Sequence, residues 1–509
     1  MRRFLYIFTL LFVFQQTYAV YTTPGTGRNW NLDSLVANSA GHITFSGGNY
    51  FIYDTLIVSQ SDTVKIFSNT TIKLGNLSLI YIYGTLLINP PDSVKITAAD
   101  TSLKHIGIKL DSFADASVFK RLIFEYGNSI NLMYCNMLID SCTIRFNNNY
   151  STGMQSGAIS LFRSNAIITH NKIYRNRRAA VVSASNIPSS PVITDNIIFE
   201  NDTENGLYPQ LNLGAGDTSR VIIRNNIIRG SFTNAGGIAF FPSSPTTTKL
   251  VIENNSIKNN SYGIVLYNVN INAYINNNII DSNNINSNPM ASGSGINIYG
   301  DSTIKVICTR NSIRWNLWGV TVQGSSNKPP HPDFGNISNS DTADNGFNKI
   351  YYNSHNDTTF DFYYNVTTTD TLKAENNYWG TTNADSIEAH IWHRIDFPTL
   401  GVVDYFPFRL FTIEENNSSV IPSEYRLFDA YPNPFNPETK ISFQLPKIEF
   451  VKIEIFDITG KLIETLLKKS LNSGKYSISW NAANKSSGVY FYRLTAGGFT
   501  GTKKLILLK

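Results

Sequence analysis

Charged side chains and cysteines are both scarce in this chain of 509 residues. Lys, Arg, Asp and Glu together make up 16% of it, against about 25% in typical globular proteins. Three cysteines do not make a disulfide framework, and we expect buried free thiols. Residues 431–509 carry a net charge of +7, which leaves −2 for residues 1–430 because the whole chain carries +5. The long body is therefore not expected to bind nucleic acid.

Long hydrophobic runs are also missing, with one exception at the start of the chain. Arg2 and Arg3 precede an apolar run over residues 4–14, and small residues follow at Thr17 and Ala19. This order is typical of a secretory signal peptide, which we place at residues 1–19 with cleavage between Ala19 and Val20. No other stretch approaches the roughly 18 apolar residues of a membrane-spanning helix, so we expect no transmembrane segment in the mature chain.

Asparagine supplies much of the polarity, since the chain holds 59 copies of it. Many of them belong to a repeat in which an isoleucine is followed by an asparagine and a second isoleucine. The first isoleucine of each copy is Ile168, Ile193, Ile223, Ile252, Ile275 or Ile307. The asparagine that follows is Asn171, Asn196, Asn226, Asn255, Asn278 or Asn311. The copies lie 23 to 33 residues apart when an earlier one at Ile139 is included.

A second series of positions is interleaved with the first. Each member is a glycine that begins an alternating apolar stretch: Gly107, Gly237, Gly263, Gly295 and Gly319. Alternation with period two and β-branched residues indicates strands, about three short ones per repeat. The sequence shows neither leucines at fixed offsets nor a helical period, so a leucine-rich or helical repeat is excluded.

Strands this short cannot bury a face alone, but coils stacked about 4.8 Å apart can. Isoleucines then stack inside, and each asparagine can bond backbone groups of the neighbouring coils at a corner. The sequence therefore predicts a parallel β-helix over residues 25–410, with the six isoleucines and the six asparagines as two columns. Its coil length resembles the right-handed, pectate-lyase-like form. Trp379 stands where an isoleucine stood and is expected to close the stack.

The last eighty residues have a different pattern. Residues 411–424 are polar and are predicted to be a linker. Residues 425–509 show five or six alternating strands separated by Gly, Asn and Pro turns, which predicts a small antiparallel, immunoglobulin-like β-sandwich. The predicted fold class is thus all-β: a right-handed parallel β-helix, or solenoid, followed by this sandwich.

Residues 425–509 resemble the type A C-terminal sorting domain of the type IX secretion system. The resemblance rests mainly on the motif residues Pro432, Asn433, Pro434, Gly488, Lys503 and Lys504. It implies that the chain reaches the periplasm by its signal peptide and then crosses the outer membrane with the type IX machinery as partner. The expected location is the outer cell surface or the medium.

Two functions fit a β-helix of this kind. The first is a non-catalytic module that binds polysaccharide or acts as an adhesin. The alternative is a carbohydrate-active enzyme, a polysaccharide lyase or glycoside hydrolase. No cofactor is expected under the first reading, whereas a lyase of this fold uses Ca²⁺ held by carboxylates and a basic residue that takes a proton. The candidates considered are Asp140, Asp195, Glu200, Asp202, Glu204, Arg224 and Glu253.

We assign no catalytic residues from the sequence, because no position of the repeat carries a carboxylate in three or more copies. Arg224 and Glu253 each lie two residues before the asparagine of their repeat, Asn226 or Asn255. This shared position in neighbouring repeats favours an ordinary surface ion pair. Glu388, His390 and His393 have a spacing that can suit a metal on a helix. A short capping helix explains that spacing equally well, so we assign no metal site.

Aromatic residues recur at one position of the glycine-led strands. Four residues after Gly237, Gly263 and Gly295 come Phe241, Tyr267 and Tyr299. Strand alternation points these three rings outward on consecutive coils. They can form a ladder that shields the sheet, or a platform for sugar rings. This face is also where the lyases that the body resembles bind their polymer.

Overall fold

A computed structural model describes residues 20–148, 157–324, 328–409, 413–416, 422–471 and 473–508. The predicted signal peptide, including Ala19, lies outside the described residues, and Val20 begins the first strand. The chain forms two units, residues 1–227 and residues 228–509. We call them the N-terminal unit and the C-terminal unit.

The N-terminal unit contains three sheets whose strands follow one another around successive coils. Sheet N1 consists of Val20–Thr22, Thr55–Val58, Leu79–Ile82, His105–Leu110, Gly127–Met133, Gly157–Phe162, Ala179–Ser183 and Leu211–Leu213. Sheet N2 consists of Asn29–Trp30, Thr63–Ile66, Thr85–Ile88, Val118–Lys120, Leu138–Asp140, Ile167–Thr169, Val192–Thr194 and Arg220–Arg224. Sheet N3 consists of Ile43–Ser46, Asn49–Ile52, Thr70–Leu74, Val94–Ala98, Leu122–Glu125, Thr143–Arg145, Lys172–Tyr174 and Ile197–Phe199.

Neighbouring strands of these sheets pair in parallel, except for the hairpin that starts sheet N3. There Ile43–Ser46 and Asn49–Ile52 pair antiparallel. A short helix, Leu32–Asn38, precedes the hairpin; the side chain of Asn31 caps it by accepting from the Ser34 N–H at 2.8 Å. The strand Ile227–Arg229 spans the boundary between the two units.

The C-terminal unit begins with three parallel sheets of the same type. Sheet C1 consists of Ile238–Phe240, Ile264–Asn268, Ser294–Gly300, Trp318–Gly324, Phe362–Asn365 and Ile391–Trp392. Sheet C2 consists of Thr248–Glu253, Ile271–Asn276, Ile304–Thr309 and His331–Asp333. Sheet C3 consists of Ser256–Lys258, Ile279–Asp281, Ser312–Arg314 and Lys349–Tyr351. The prediction of a right-handed parallel β-helix is confirmed.

Asparagine ladders hold the corners of the coils together. In the C-terminal unit the Asn278 side chain accepts from the backbone N–H of Asn255 at 2.9 Å and donates to the Ile252 carbonyl at 2.9 Å. The same ladder continues through Asn311 and Asn348 to Asn377. In the N-terminal unit it runs through Asn171, Asn196 and Asn226. All of these asparagines are buried, so the predicted asparagine column is confirmed within each unit.

A second ladder follows at the next corner. Its members in the N-terminal unit are Asn147, Asn176, Asn201 and Gln210. In the C-terminal unit they are Asn260, Asn283, Asn316, Asn353 and Asp361. Most residues directly before these asparagines have positive φ, as Asn277 at 54° and Trp315 at 54° illustrate. The left-handed residue turns the chain, and the asparagine bonds the backbone groups that the turn leaves unpaired.

The predicted isoleucine column is right in five places and wrong in the sixth. Ile168, Ile193, Ile223, Ile252 and Ile275 are fully buried. Ile307 is partly exposed and pairs with Tyr274, while Cys308 is buried and pairs with Ile275. The reason is spacing: Cys308, not Ile307, precedes the ladder asparagine Asn311 by three residues. All three cysteines are buried free thiols.

Trp379 is 1% exposed and contacts Phe362 edge-on, with ring centroids 6.3 Å apart. The last coils also contain the helix Ala384–Glu388, the hairpin of Ser354–His355 with Thr358–Thr359, and the parallel pair of Thr371–Lys373 with Val402–Asp404. The large ring thus fills the interior at the end of the coils, as its position in the repeat predicted.

The C-terminal residues form the predicted antiparallel sandwich of two four-stranded sheets. Sheet S1 has the order Ile413–Asn416, Gly474–Asn481, Glu438–Leu445, Arg426–Leu427. Sheet S2 has the order Leu462–Leu471, Glu449–Asp457, Gly488–Ala496, Phe499–Leu507. Ile413–Asn416 lies inside the predicted linker, which is a correction to that prediction: all four residues of this short strand pair antiparallel with residues 475–478. The other domain boundaries stay predictions.

Candidate functional site

The strands of sheet C1 that begin with a glycine do so because the backbones of adjacent coils approach closely at that position. A Cβ on Gly263 would lie 2.4 Å from the Gly295 carbonyl oxygen, so a larger residue does not fit there. After this glycine, Ile264 and Leu266 are buried, whereas Tyr267 is 41% exposed. The alternation predicted from the sequence is therefore confirmed, and the fourth residue after the glycine faces outward.

The three predicted rings do lie together. Tyr267 and Tyr299 are opposite each other in the sheet, with ring centroids 5.0 Å apart and ring planes at 6°. Phe241 lies 5.4 Å from Tyr267 at 46° and is partly buried. Tyr299 is 42% exposed. The site therefore has one parallel, exposed tyrosine pair and a third ring tilted against it.

The register of sheet C1 shows which side chains share the face with these rings. We call the column that contains the rings the second outward column; it consists of Phe241, Tyr267, Tyr299, Gln323 and Asn365. The first outward column, two residues earlier in each strand, consists of Ala239, Val265, Asn297, Thr321, Tyr363 and Trp392. Neither column contains an acidic or basic side chain.

Sequence analysis missed a second group of rings on this sheet. Trp318 lies 4.3 Å from His355, 4.7 Å from Phe360 and 4.8 Å from Tyr363, measured between centroids. Tyr363 in turn stacks on Trp392 at 6.0 Å and 20°. The strands that carry Tyr363 and Trp392 lack the leading glycine, so the repeat gave no signal for them. Burial lowers the pKa of His355 below its ordinary value.

Charged side chains meet on a different sheet. In sheet C3, the Asp281 carboxylate lies 3.3 Å from Lys258 Nζ and 3.4 Å from Arg314 Nε, on the two adjacent strands. In sheet N3, Glu125 lies 2.7 Å from Lys95 Nζ and 2.8 Å from Arg145 Nε. We call these two arrangements the ion-pair columns.

The Glu125 carboxylate is nearly inaccessible, since its side chain is 3% exposed. Burial raises its pKa, but hydrogen bonds from Lys95 and Arg145 outweigh burial, so its pKa lies below the ordinary value. A carboxylate with both oxygens bonded to cations is a poor proton donor or acceptor for a substrate. The acid and base groups that converge within three coils therefore stabilise the sheet.

The carboxylates considered for Ca²⁺ have separate partners. Asp140 lies near Lys120 and His170, Asp195 accepts from Asn225, and Glu200 pairs with Arg175 at 2.6 Å. Glu204 bonds both Arg177 and Arg178. Within the ranges that the structure describes, no group of three His, Cys, Asp or Glu side chains could hold a metal ion. The calcium expected under the lyase alternative stays untested.

Asp202 organises its own loop. It is fully buried, and its two oxygens accept from the backbone N–H groups of Gly206 at 2.9 Å and Tyr208 at 3.1 Å. Burial raises its pKa to about 6. Arg224 and Glu253 end strands in different units, so the ion pair predicted between them stays a prediction.

The histidine motif near residue 390 does not converge on one point. His390 Nδ1 lies 3.1 Å from Asp361, whereas His393 Nε2 lies 2.5 Å from Glu388. The other ring nitrogen of His393 accepts from the Val403 N–H at 2.9 Å. Each histidine has its own carboxylate partner, and both nitrogens of His393 are occupied.

The sorting-motif residues fasten the entry of the sandwich to its last strand. Asn433 accepts from the Ile506 N–H at 2.9 Å and donates to the Lys504 carbonyl at 2.9 Å. The Pro432 carbonyl accepts from the Thr439 hydroxyl at 2.6 Å, and Lys503 Nζ lies 2.6 Å from Asp429. The remaining motif residues, Pro434 and Gly488, lie beside Asn433 and at the start of Gly488–Ala496.

Residues 429–508 match the family described as "Secretion system C-terminal sorting domain". The chain is thus an exported β-helix protein that carries a type IX sorting domain, and its partner in export is the type IX machinery. It is delivered to the cell surface or the extracellular space. In the described parts of the chain, no helix is long and apolar enough to cross a membrane.

Solved structures similar to the chain are themselves β-helix proteins. The periplasmic alginate epimerase AlgG has 13% identity and a TM-score of 0.31, over 75% of this chain and 82% of that one. A point mutant of the same enzyme has 12% identity and a TM-score of 0.32 over the same shares. The Dettilon tailspike protein has 10% identity and a TM-score of 0.26, over 88% of this chain and 82% of that one. No curated protein matches the sequence significantly.

Proposed function

We propose that this exported protein binds polysaccharide on the outward face of sheet C1. The observation that carries the proposal is the parallel pair of Tyr267 and Tyr299, each more than 40% exposed. Exposed apolar surface at a fixed spacing is a frequent mark of a binding site on an otherwise polar protein. Flat aromatic rings offer an apolar face with a polar edge, which suits the mixed surface of a sugar.

Tyr299 is the ring of this group that is best placed to contact a sugar, because it stays 42% exposed beside Tyr267. Tyr267 covers one face of Tyr299, and the next strand carries Gln323 opposite Tyr299, followed by Asn365. Among the described ring pairs, Tyr299 has no partner other than Tyr267. The two amides can both donate and accept hydrogen bonds, as sugar hydroxyl groups require. The arrangement therefore supplies an apolar surface with polar groups beside it.

A purely structural ladder looks different elsewhere in the molecule. Tyr174 and Phe199 on sheet N3 also stack, at 4.8 Å and 7°. Lys172 lies over both rings, at 5.2 Å from Tyr174 and 5.6 Å from Phe199, so cations occupy that stack. In the described residues no cation lies over Tyr267 or Tyr299. The N-terminal stack is thus a matched control for the proposed site.

The test measures oligosaccharide affinity of the full exported chain, after a glycan array has identified a polysaccharide that binds. We expect Tyr299→Ala to weaken binding about 10-fold or more, which corresponds to about 1.4 kcal/mol, and Tyr267→Ala to weaken it less. The Tyr267→Ala, Tyr299→Ala double variant should weaken it most. Replacing Tyr174 and Phe199 by alanine should leave affinity unchanged. Unchanged affinity in the double variant would remove sheet C1 from consideration.

The enzyme alternative needs an acid and a base that face the polymer. The two outward columns of sheet C1 contain neither, and this composition supports binding over catalysis. Incubating the bound polysaccharide with the protein and measuring new reducing ends, together with the absorbance of unsaturated uronates, tests the alternative. Turnover that survives in the double tyrosine variant would place catalysis elsewhere on the chain.

A further inference from the structure

We infer that the polymer bound on sheet C1 is an uncharged glycan, not a polyuronate or a sulfated chain. This inference rests on the proposed function and adds the chemical class of the ligand. Its basis is the composition of the two outward columns, which offer rings and amides and contain no acidic or basic side chain.

The lack of charge on this face is local. In the same unit, sheet C3 carries Lys258, Asp281 and Arg314 on consecutive strands at one outward position. The repeat therefore tolerates charged side chains at outward positions of its strands. Of the eleven column positions on sheet C1, Ala239 and Thr321 are buried, and the nine that are at least partly exposed carry no charge.

A charged polymer would be poorly served by this face. A polyuronate carries one carboxylate on each sugar, and removing it from water costs free energy unless a cation or several donors replace the solvent. Amides and tyrosine hydroxyl groups instead match the donors and acceptors of neutral sugars. The electrostatic complementarity of the face is thus to a neutral chain.

The rings also set the length of the contact. Phe241, Tyr267 and Tyr299 lie on three consecutive coils, Phe241 directly after its strand, and Tyr363 and Trp392 occupy the last two strands of sheet C1. Six strands at roughly 4.8 Å span about 24 Å. A chain that runs across the strands would contact rings near both ends, so longer oligosaccharides should bind more tightly than disaccharides.

The neighbouring sheet offers a distinct site that a polyanion would prefer. Lys249, Asn272, Lys305 and His331 share one outward column of sheet C2. If the ligand were anionic, these basic side chains would carry the binding, and affinity would fall with salt. Lys305→Ala therefore separates a charged ligand on sheet C2 from a neutral ligand on sheet C1.

The experiment compares cellohexaose, xylohexaose and mannohexaose with hexagalacturonate by calorimetry on the full chain, at about 50 and about 500 mM salt. We expect a neutral hexamer to bind at least 10-fold more tightly than hexagalacturonate and to change affinity less than 2-fold with salt. Tyr299→Ala should abolish most of this binding, Lys305→Ala should not change it, and cellobiose-sized fragments should bind more weakly.

Three results would overturn the inference in distinguishable ways. If hexagalacturonate binds more tightly than every neutral hexamer and Tyr299→Ala weakens it, the proposed site stands but the ligand is charged. If binding depends on Lys305 and salt but not on Tyr299, both the uncharged ligand and the proposed face are wrong. If neither the array nor the hexamers show binding, the proposed function itself fails.

Discussion

Sheets C1 and C3 belong to the same coils, yet their outward faces have opposite chemistry. Inside, both sheets present buried isoleucines, and the second asparagine ladder lies at the corner where the chain passes from sheet C3 to sheet C1. Outside, sheet C3 carries the ion-pair column around Asp281, whereas sheet C1 carries stacked tyrosines and amides. The comparison teaches that the repeat determines the fold through its interior and leaves each outer face free to acquire its own function.

The largest effect should come from breaking the interior that the two sheets share. We expect Asn278→Leu to lower the free energy of unfolding by ~4 kcal/mol. The change removes the acceptor of the Asn255 N–H and side-chain amide, the donor to the Ile252 carbonyl, and the side-chain donor to the Asn311 oxygen. Each buried polar group left unpaired costs about 1–3 kcal/mol.

Urea unfolding of the full chain measures this effect. Asn272→Leu is the matched control, because Asn272 is exposed on sheet C2 six residues away. Equal losses in the two variants would show that the ladder contributes nothing beyond an ordinary surface asparagine.

His105 tests the interior through pH. It is fully buried beside the Glu125 carbonyl, and burial lowers its pKa to about 4. When the pKa of a histidine is lower in the folded state than in the unfolded state, the folded protein loses stability on acidification. Stability is unaffected at pH values above the unfolded pKa, near 6.5, and falls as the pH decreases towards the folded pKa, about 4. We expect a loss of ~3 kcal/mol between these values.

The change His105→Phe should remove this dependence, which unfolding curves at several pH values between 4 and 7 would measure. The stabilisation that the Glu125 carboxylate provides is also lost on acidification, because its pKa is lowered in the folded state. That loss begins near its unfolded pKa, about 4.3, and therefore falls in a lower pH window. The same pH slope in wild type and variant would contradict the assignment to His105.

Replacing one member of an ion-pair column should have a smaller effect. We expect Asp281→Asn to destabilise the protein by ~1 kcal/mol, because the carboxylate is buried while Lys258 and Arg314 stay partly exposed and screened. Oligosaccharide affinity should not change, since the side chain lies on sheet C3. A loss of affinity in this variant would mean that the two faces are coupled.

The smallest effect on stability is expected on sheet C1. The Tyr267→Ala, Tyr299→Ala variant should lose less than about 1 kcal/mol, because both rings are substantially exposed and aromatic pairs contribute only about 0.5–1.5 kcal/mol beyond burial. Thermal or urea unfolding measures it. A loss well above that of Asp281→Asn would mean that the rings mainly shield the sheet.

The sequence predicted the parts of the fold that repeat. Five of six isoleucines and all six asparagines take their expected positions, because stacking demands the same residue at the same corner. The prediction for Ile307 was wrong because it followed the residue type, whereas the position three residues before Asn311 is Cys308. A buried thiol packs as a small apolar group, so Cys308 fills the interior position.

The site was predictable only where it followed the repeat. Tyr267 and Tyr299 were found because glycines mark their strands. Tyr363 and Trp392 were not, since the loops between the last coils vary in length and hide the register. Ion pairs such as Glu125 with Arg145 depend on which residues adjacent coils bring together, which the sequence alone does not order.

The left-handed residues at the corners give the fold room for variation. His170 and Asp195 in the N-terminal unit, and Asn277, Arg310 and Phe347 in the C-terminal unit, each have positive φ directly before an asparagine of the first ladder. A non-glycine residue in this left-handed conformation costs roughly 1–2 kcal/mol. The asparagine that follows stabilises the turn, whatever side chain the left-handed residue carries. Successive coils thus carry chemically unrelated side chains at this position, spaced regularly along the coils. Substitutions there can change the surface of the protein one residue at a time without affecting its core.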